Sequence, residues 1–249
     1  MMATYKPAAA RGGESASISR HIVSVGFELE GGMDREELLR LERFVDDNGL
    51  GSYYARDVES GLCVKKFHGD LELKLHSRKM EVLAGFLDYA YNECGFETNF
   101  NCGFHVHMRF EDMPGAVVFF SSPSVVAQFK RDYSERFDGN EKYLARLGSV
   151  HCRNDNVDTE LFGRILRDGR HRIPYNKNSV IALDAYKRRG NVEFRVLPNQ
   201  TSSEEAIESL GWIIETADRI YGARGGVAHD SVLTREMVER DRSLTGMLR

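Results

Sequence analysis

Four separate segments of this chain alternate between apolar and polar residues, which is the period of a β-strand whose two faces meet different surroundings. The segments are 23–30, 71–76, 102–110 and 192–196. If these strands share one sheet, their apolar residues form a core face and their polar residues form the opposite face. That polar face would carry Glu28, Glu30, Glu72, Lys74, His76, His105, His107, Arg109, Glu193 and Arg195.

Two interpretations of the polar face are open from the alternation alone. A face in contact with water would explain it, because antiparallel sheets often have one solvated side. A metal-binding face would explain two further details. Glu28 and Glu30 repel each other unless a cation neutralises them, and histidine is a common metal ligand but an uncommon choice for a plain solvated face.

Composition limits the class of protein. The 249 residues suffice for one large domain or two small ones, and 41% of them are hydrophobic, enough for a core. The net charge of −4 does not favour a nucleic-acid partner. No apolar run of about 18 residues predicts a membrane span, and the N-terminus lacks the apolar stretch of a signal peptide. The cysteines, far apart and without a CxxC pair, predict reduced thiols in a cytoplasmic protein. They are Cys63, Cys94, Cys102 and Cys152.

The chain divides into three parts by composition. Residues 1–19 lack periodicity and predict a flexible tail. Residues 20–222 predict the folded domain, within which 111–170 is least regular and is interpreted as a lid or an insertion. Residues 223–249 form a charged C-terminal segment. Helices are predicted from Asp34, from Ser77 to Cys94, at 124–136, at 158–167 and from Ser203, and a final pair of strands at 176–186 and 190–197.

The residue spacing suits several chemistries. On a strand, Glu28 and Glu30 lie roughly 6–7 Å apart, so that each could bind a different one of two neighbouring metal ions. His105 and His107 share a face; one could bind a metal while the other orients a loop or substrate, and a structural role is favoured for His107. Glu193 and Arg195 suit a metal ligand and a phosphate-binding guanidinium, or else a salt bridge.

Taken together, the four motifs resemble those of the amidoligases, which are relatives of glutamine synthetase and glutamate–cysteine ligase. The motifs are GxExE at 26–30, ELxxxS at 72–77, CGxHVH at 102–107 and ExR at 193–195. Their order and spacing are similar to the family over residues 25–216. The resemblance implies an α+β fold with a curved, mostly antiparallel sheet and helices on its apolar face, as in the catalytic domain of glutamine synthetase.

The resemblance also implies roles for individual residues. Glu28, His105 and Glu193 would bind one magnesium or manganese ion, and Glu30 and Glu72 would bind a second. Arg195 would contact the transferred phosphoryl group, Asn101 and His107 would lie at the ATP site, and Arg172 would take part through an Arg-Ile-Pro segment. Lys74 departs from the pattern, because its ammonium group would compete with metal for Glu72.

The implied activity is ATP-dependent amide bond formation through an acyl phosphate. Its substrates would be a small-molecule or peptide carboxylate and an amine, and a homo-oligomer is compatible with it. Two alternatives stay open. A metal-dependent hydrolase could use the same histidines and glutamates to activate water. A ligase-like scaffold could also serve in binding or assembly without catalysis.

Overall fold

The computed structural model describes residues 18–48, 51–52, 60–67, 70–152, 178–223 and 233–246. It has an α+β fold built on one seven-stranded sheet. The strands are β1 (Ile22–Gly31), β2 (Gly51–Ser52), β3 (Ser60–Phe67), β4 (Asp70–Ser77), β5 (Gly103–Phe110), β6 (Ile181–Ala182) and β7 (Val192–Pro198). Their order is β2-β3-β4-β1-β5-β7-β6, and every neighbouring pair is antiparallel except β2 with β3.

The four alternating segments lie in β4, β1, β5 and β7, which are consecutive neighbours in the sheet. The prediction that they share one sheet is therefore confirmed. The strand predicted at 176–186 is much shorter, because only Ile181 and Ala182 pair with β7. The chain leaves the sheet after Ala182: Tyr186 donates its backbone N–H to the carbonyl of Leu183, and a short helix begins.

The helices are α1 (Arg35–Asp47), α2 (Met80–Asp88), α3 (Met113–Phe120), α4 (Pro123–Arg136), α5 (Glu141–Leu147), α6 (Ala185–Arg189), α7 (Ser203–Gly222) and α8 (Arg235–Gly246). A π-helical turn, Tyr89–Glu93, continues α2. Gly95 follows this turn with a φ of 56°, a conformation that glycine adopts without steric cost. The helices predicted from Asp34, from Ser77, at 124–136 and from Ser203 are confirmed to within a few residues, and the one predicted at 158–167 lies outside the described residues.

The apolar face of the sheet forms the core. Phe27 on β1, Phe104 on β5 and Phe194 on β7 are fully buried. Helices α2, α3, α4 and α7 contribute the facing layer, listed here by their fully buried side chains: Leu83, Phe86, Val117, Phe120, Phe129, Leu210 and Ile213. Each large apolar side chain buried in this way contributes roughly 1.5–3 kcal/mol, so this layer holds the sheet rigid beneath its polar face.

The region interpreted as a lid or insertion is helical in its described part. Residues 111–152 form α3, α4 and α5, whose apolar side chains belong to the same core. Residues 153–170 lie outside the described residues, and the lid interpretation stays a prediction. In the C-terminal segment, α8 is attached through buried Val238 and through Arg235, which pairs with Asp112.

The structure bears on the predictions about the cysteines and about membrane-spanning helices. Cys94 and Cys152 are free and buried, as predicted, and Cys102 is buried, while nothing is described of the side chain of Cys63. Among the described helices, none is both long and apolar enough to cross a membrane.

Candidate functional site

Strand register brings the polar residues together. Glu28 on β1 lies opposite Lys74 on β4 and opposite His105 on β5. His107 on β5 lies opposite Glu193 on β7. Because β4, β1, β5 and β7 are adjacent, side chains that are up to 165 residues apart in sequence, from Glu28 to Glu193, converge on one patch of the sheet.

The centre of this polar face is buried. The exposed fraction of Glu28 is 4%, and those of Lys74, His105, His107 and Glu193 are 2% each. A solvated sheet face would leave such side chains in water, so the first interpretation of the alternation does not hold for the centre of the face, although Arg109 is exposed. Burial of ionisable groups destabilises the folded state unless they are paired or bind a ligand. The cluster must therefore be stabilised by its contacts.

Three side chains have the composition of a metal site. One carboxylate oxygen each of Glu28 and Glu193 and one ring nitrogen of His107 lie within 4.8 Å of one another, and all three residues are buried. The ligands of a six-coordinate magnesium ion stand about 3 Å apart, given bond lengths of about 2.1 Å. The three groups would therefore need to move together by about an ångström or two to share an ion.

The histidine in this group is His107, whereas the family resemblance assigned the metal to His105. His107 Nε2 lies 3.2 Å from Glu28 Oε1, and His107 Nδ1 lies 3.2 Å from Asn191 Oδ1. A second contact of this kind fixes the orientation of a ligating ring. His105 Nδ1 is 3.6 Å from both Glu28 Oε2 and Glu193 Oε1 and has no hydrogen-bond partner. Both rings thus line the same patch.

Cationic side chains pair with the carboxylates. Lys74 Nζ lies 2.6 Å from Glu28 Oε1 and 2.9 Å from Glu72 Oε2, which realises the expected competition for Glu72. Arg189 also pairs with Glu28. Sequence reasoning missed Arg189, because it stands at the end of α6 rather than in an alternating strand. Only the basic run before Gly190, at residues 187–189, signalled it.

The pKa values in the cluster follow from these contacts. Burial by itself raises the pKa of Glu28, but attraction to His107, contacts with both histidines and the charge of Arg189 hold it well below its usual range. Glu72 has a raised pKa, because burial and repulsion from Glu28 outweigh its contact with Lys74. Glu28 is therefore a stable anion, the form in which a carboxylate binds metal.

Contacts also shift the pKa values of Glu193 on β7 and His105 on β5. Burial opposes ionisation of Glu193, yet attraction to His107, to its partner Arg195 and to His105 lowers its pKa. The pKa of His105 is lowered by burial first and by Arg195 second. The lowered pKa favours the neutral imidazole, whose single lone pair, on Nε2, accepts from Arg146.

The remaining predicted residues are less central. Glu30 lies opposite Glu72 in the register and accepts a hydrogen bond from the backbone N–H of Gly103, 2.7 Å away. Asn101 is exposed in the turn before β5, where its backbone N–H donates to Asn99. Arg172 lies outside the described residues. The proposed second metal pair, Glu30 and Glu72, is thus brought side by side, with both members already engaged in other contacts.

A scan against protein-family models found no match to this chain, and a search of curated proteins found no significant relative. The amidoligase resemblance therefore stays a prediction that rests on the four motifs.

Arg146 on α5 was not foreseen from the sequence, because a helix outside the sheet positions it. Its exposed fraction is 8%. Nη2 lies 3.3 Å from His105 Nε2, and Nε donates to the backbone carbonyl of Arg195 over 3.4 Å. Together the site offers two ionised carboxylates, two histidines and several guanidinium groups in a dry environment, where electrostatic interactions are strong.

Proposed function

We propose that this protein is an ATP- and divalent-metal-dependent carboxylate–amine ligase that forms an amide through an acyl phosphate. The observation that supports it is the buried group of Glu28, His107 and Glu193 with the guanidiniums of Arg189 and Arg195 beside it. Metal ligands next to phosphate-binding cations are what phosphoryl transfer requires, because its catalysis is mainly positioning and charge stabilisation.

The donor set fits magnesium or manganese. Two carboxylates and one imidazole are hard or borderline ligands, and no thiol belongs to the group. Glu28 and Glu193 would supply negative charge, and His107, oriented by Asn191, would supply a nitrogen. Such an ion would supply positive charge that stabilises the transferred phosphoryl group. Arg195 would orient the phosphoryl oxygens beside it.

The charge balance of the cluster favours binding of a metal ion together with a nucleotide. Four glutamates face four cationic side chains, so the formal charges of the cluster cancel without a ligand; they are Glu28, Glu30, Glu72 and Glu193 against Lys74, Arg146, Arg189 and Arg195. A divalent ion alone would leave buried excess positive charge. Nucleotide phosphates would offset it, and we therefore expect magnesium and ATP to bind cooperatively.

The reaction would use no thiol among the described cysteines. Burial raises the pKa of Cys94 to about 11 and also raises that of Cys152. Since the thiolate is the nucleophile, both are poor nucleophiles at neutral pH. The substrate carboxylate would itself attack the γ-phosphorus of ATP, and an amine, from a small molecule or peptide, would displace phosphate from the acyl phosphate formed.

The proposal is tested with purified protein, magnesium and pools of amino acids, polyamines and peptides. Release of ADP and phosphate should require both an acid and an amine. His107→Gln removes the nitrogen donor and keeps a polar side chain, so it should abolish turnover and the magnesium-dependent part of ATP binding measured by calorimetry. Glu193→Gln should do the same, with some loss of stability because Arg195 loses its partner.

Glu208→Gln is the matched control, since Glu208 is an exposed residue of α7 that pairs with Arg136. It should behave like the wild-type protein. Tight metal binding without any effect of ATP, with hydrolysis of a substrate, would identify the metal-dependent hydrolase instead. ATP binding with no turnover for any pool would favour a non-catalytic scaffold. Equal ATP affinity in wild type and His107→Gln would remove His107 from the metal site.

A further inference from the structure

Arg146 is a buried cation without a carboxylate partner. Its two hydrogen-bonding contacts are to His105 Nε2 and to the carbonyl oxygen of Arg195. Among the described residues no carboxylate lies within ion-pair distance of it, whereas Lys74, Arg189 and Arg195 each have one. A buried guanidinium without a directly paired carboxylate is unfavourable even where the charges of the wider cluster balance, and a bound anion would relieve that cost.

Arg195 provides a second unfilled donor in the same place. Its Nε is buried and has no hydrogen-bond partner, although its Nη1 pairs with Glu193. Its exposed fraction is 6%. An orphaned buried N–H on a charged group carries the full desolvation penalty. Two adjacent guanidiniums therefore present donors that the described protein groups do not satisfy.

Gly103 shapes the space around Arg146. A Cβ atom at this position would lie 2.6 Å from Arg146 Nη2 and 2.8 Å from His105 Nε2, closer than real Cβ contacts. The absence of a side chain on β5 thus lets the guanidinium reach the polar face. Without that approach, Arg146 would have no access to the cluster from α5.

We infer that Arg146 and the Nε of Arg195 form an oxyanion-binding subsite beside the group of Glu28, His107 and Glu193. Guanidinium forks match the planar carboxylate and the phosphoryl group equally well, so the ligand class is an oxyanion with one of these two sources. The inference deepens the proposed function, on which it rests only for the choice of ligand. In that function the subsite would hold the acid substrate or the phosphoryl group leaving it.

Calorimetric titration of the full chain with inorganic phosphate and with glutarate, both in EDTA, tests this inference. At least one of the two should bind saturably. Arg146→Gln should weaken that binding about tenfold or more, as loss of a charge-assisted contact does. Arg146→Lys should weaken it to a smaller extent, because it keeps the positive charge and loses the planar pair of donors. Selective binding of phosphate would identify the phosphoryl group, and selective binding of glutarate the carboxylate.

Arg136→Gln is the matched control, since Arg136 is an exposed arginine on α4, and it should bind like the wild type. Glu28→Gln separates this inference from the proposed function: it should lose magnesium-dependent ATP binding and keep metal-free oxyanion binding. If neither anion bound to the wild-type protein, or if binding were equal in Arg146→Gln, the subsite would be disproved. Should Arg146→Gln fail to fold, Arg146→Lys provides the test, and binding equal to that of the wild type in this variant would show that the guanidinium of Arg146 does not bind the anion.

Discussion

His105 shows how burial changes the chemistry of one residue. It lies on the central strand pair, 2% exposed, between two carboxylates and two guanidiniums. The carboxylates favour its charged form, but burial and Arg195 prevail and lower its pKa. The side chain that the motifs mark as a metal ligand is therefore held in its neutral form, with its Nε2 accepting from Arg146.

This lowered pKa predicts a pH-dependent stability. Below about pH 6.5, the unfolded chain protonates His105 while the folded protein does not, so the unfolded state binds more protons and stability falls as pH falls. His105→Gln removes that contribution. Urea denaturation from pH 7.5 to 5.5 should show a steeper loss of the free energy of unfolding in the wild type than in the variant. Parallel pH profiles would show that the folded state protonates His105 normally.

At the scale of single residues, sequence reasoning identified which side chains share a face but not what each one contacts. Period-two alternation fixes the face of Glu28, His107 and Glu193, because it follows from strand geometry alone. It carries no information about Arg146, whose position depends on how α5 packs against β7. The choice between His105 and His107 depends on sub-ångström ring placement, which the motif order does not encode.

Among the elements, α7 is the longest helix and begins with an observed cap. Ser202 Oγ accepts a hydrogen bond from the backbone N–H of Glu205, and the Glu205 carboxylate in turn accepts one from the backbone N–H of Thr201. The helix predicted from Ser203 begins at that residue, and its observed cap, Ser202, is the residue before it. A cap of this kind satisfies N–H groups that have no partner within the helix.

Ser202→Ala should lower the free energy of unfolding by about 1 kcal/mol, because it leaves a helix N–H without its acceptor. Chemical denaturation measures this change. Glu215→Ala, at an exposed position in the middle of the same helix, is the control and should change stability by less than about 0.5 kcal/mol. A Ser202→Ala value no larger than the control would mean that solvent or Glu205 compensates fully.

Helices and strands were predictable to different degrees. The strands with clean alternation, β1, β4, β5 and β7, were identified with nearly correct ends. Helix α3 was missed, since it is apolar on nearly every side and has no amphipathic period, as expected for a helix buried between the sheet and other helices. The strand expected at 176–186 shortened because the chain turns into α6 after two residues of pairing.

For the whole molecule, stability depends on aromatic packing between the sheet and its helices. Phe194 is fully buried, and its ring centroid lies 5.5 Å from that of Phe120 and 5.3 Å from that of Phe129. Phe194 lies between Glu193 and Arg195 in the sequence. Its packing therefore fixes the strand that places the side chains of Glu193 and Arg195 on the polar face. Strand β7 thus contributes to the core with one face and to the candidate site with the other.

Phe194→Ala should destabilise the protein by about 3–5 kcal/mol, the usual consequence of removing a buried ring and leaving a cavity. Phe100→Ala is the matched control, because Phe100 is 87% exposed, and it should change stability by less than about 0.5 kcal/mol. Equilibrium denaturation of both variants provides the comparison. A loss below about 1 kcal/mol for Phe194→Ala would indicate that the facing helices do not depend on this ring.

Lys74 has a consequence for how this sequence can diverge. One ammonium group pairs with both Glu28 and Glu72 in a buried setting. Replacement of Lys74 by an apolar residue would leave Glu72 without this ion pair and Glu28 with Arg189, whereas simultaneous replacement of Lys74 and Glu72 would preserve the balance of charge. Selection should therefore accept the two changes together far more often than either alone, and Lys74 and Glu72 should covary across descendants of a common ancestor while Glu28 stays fixed.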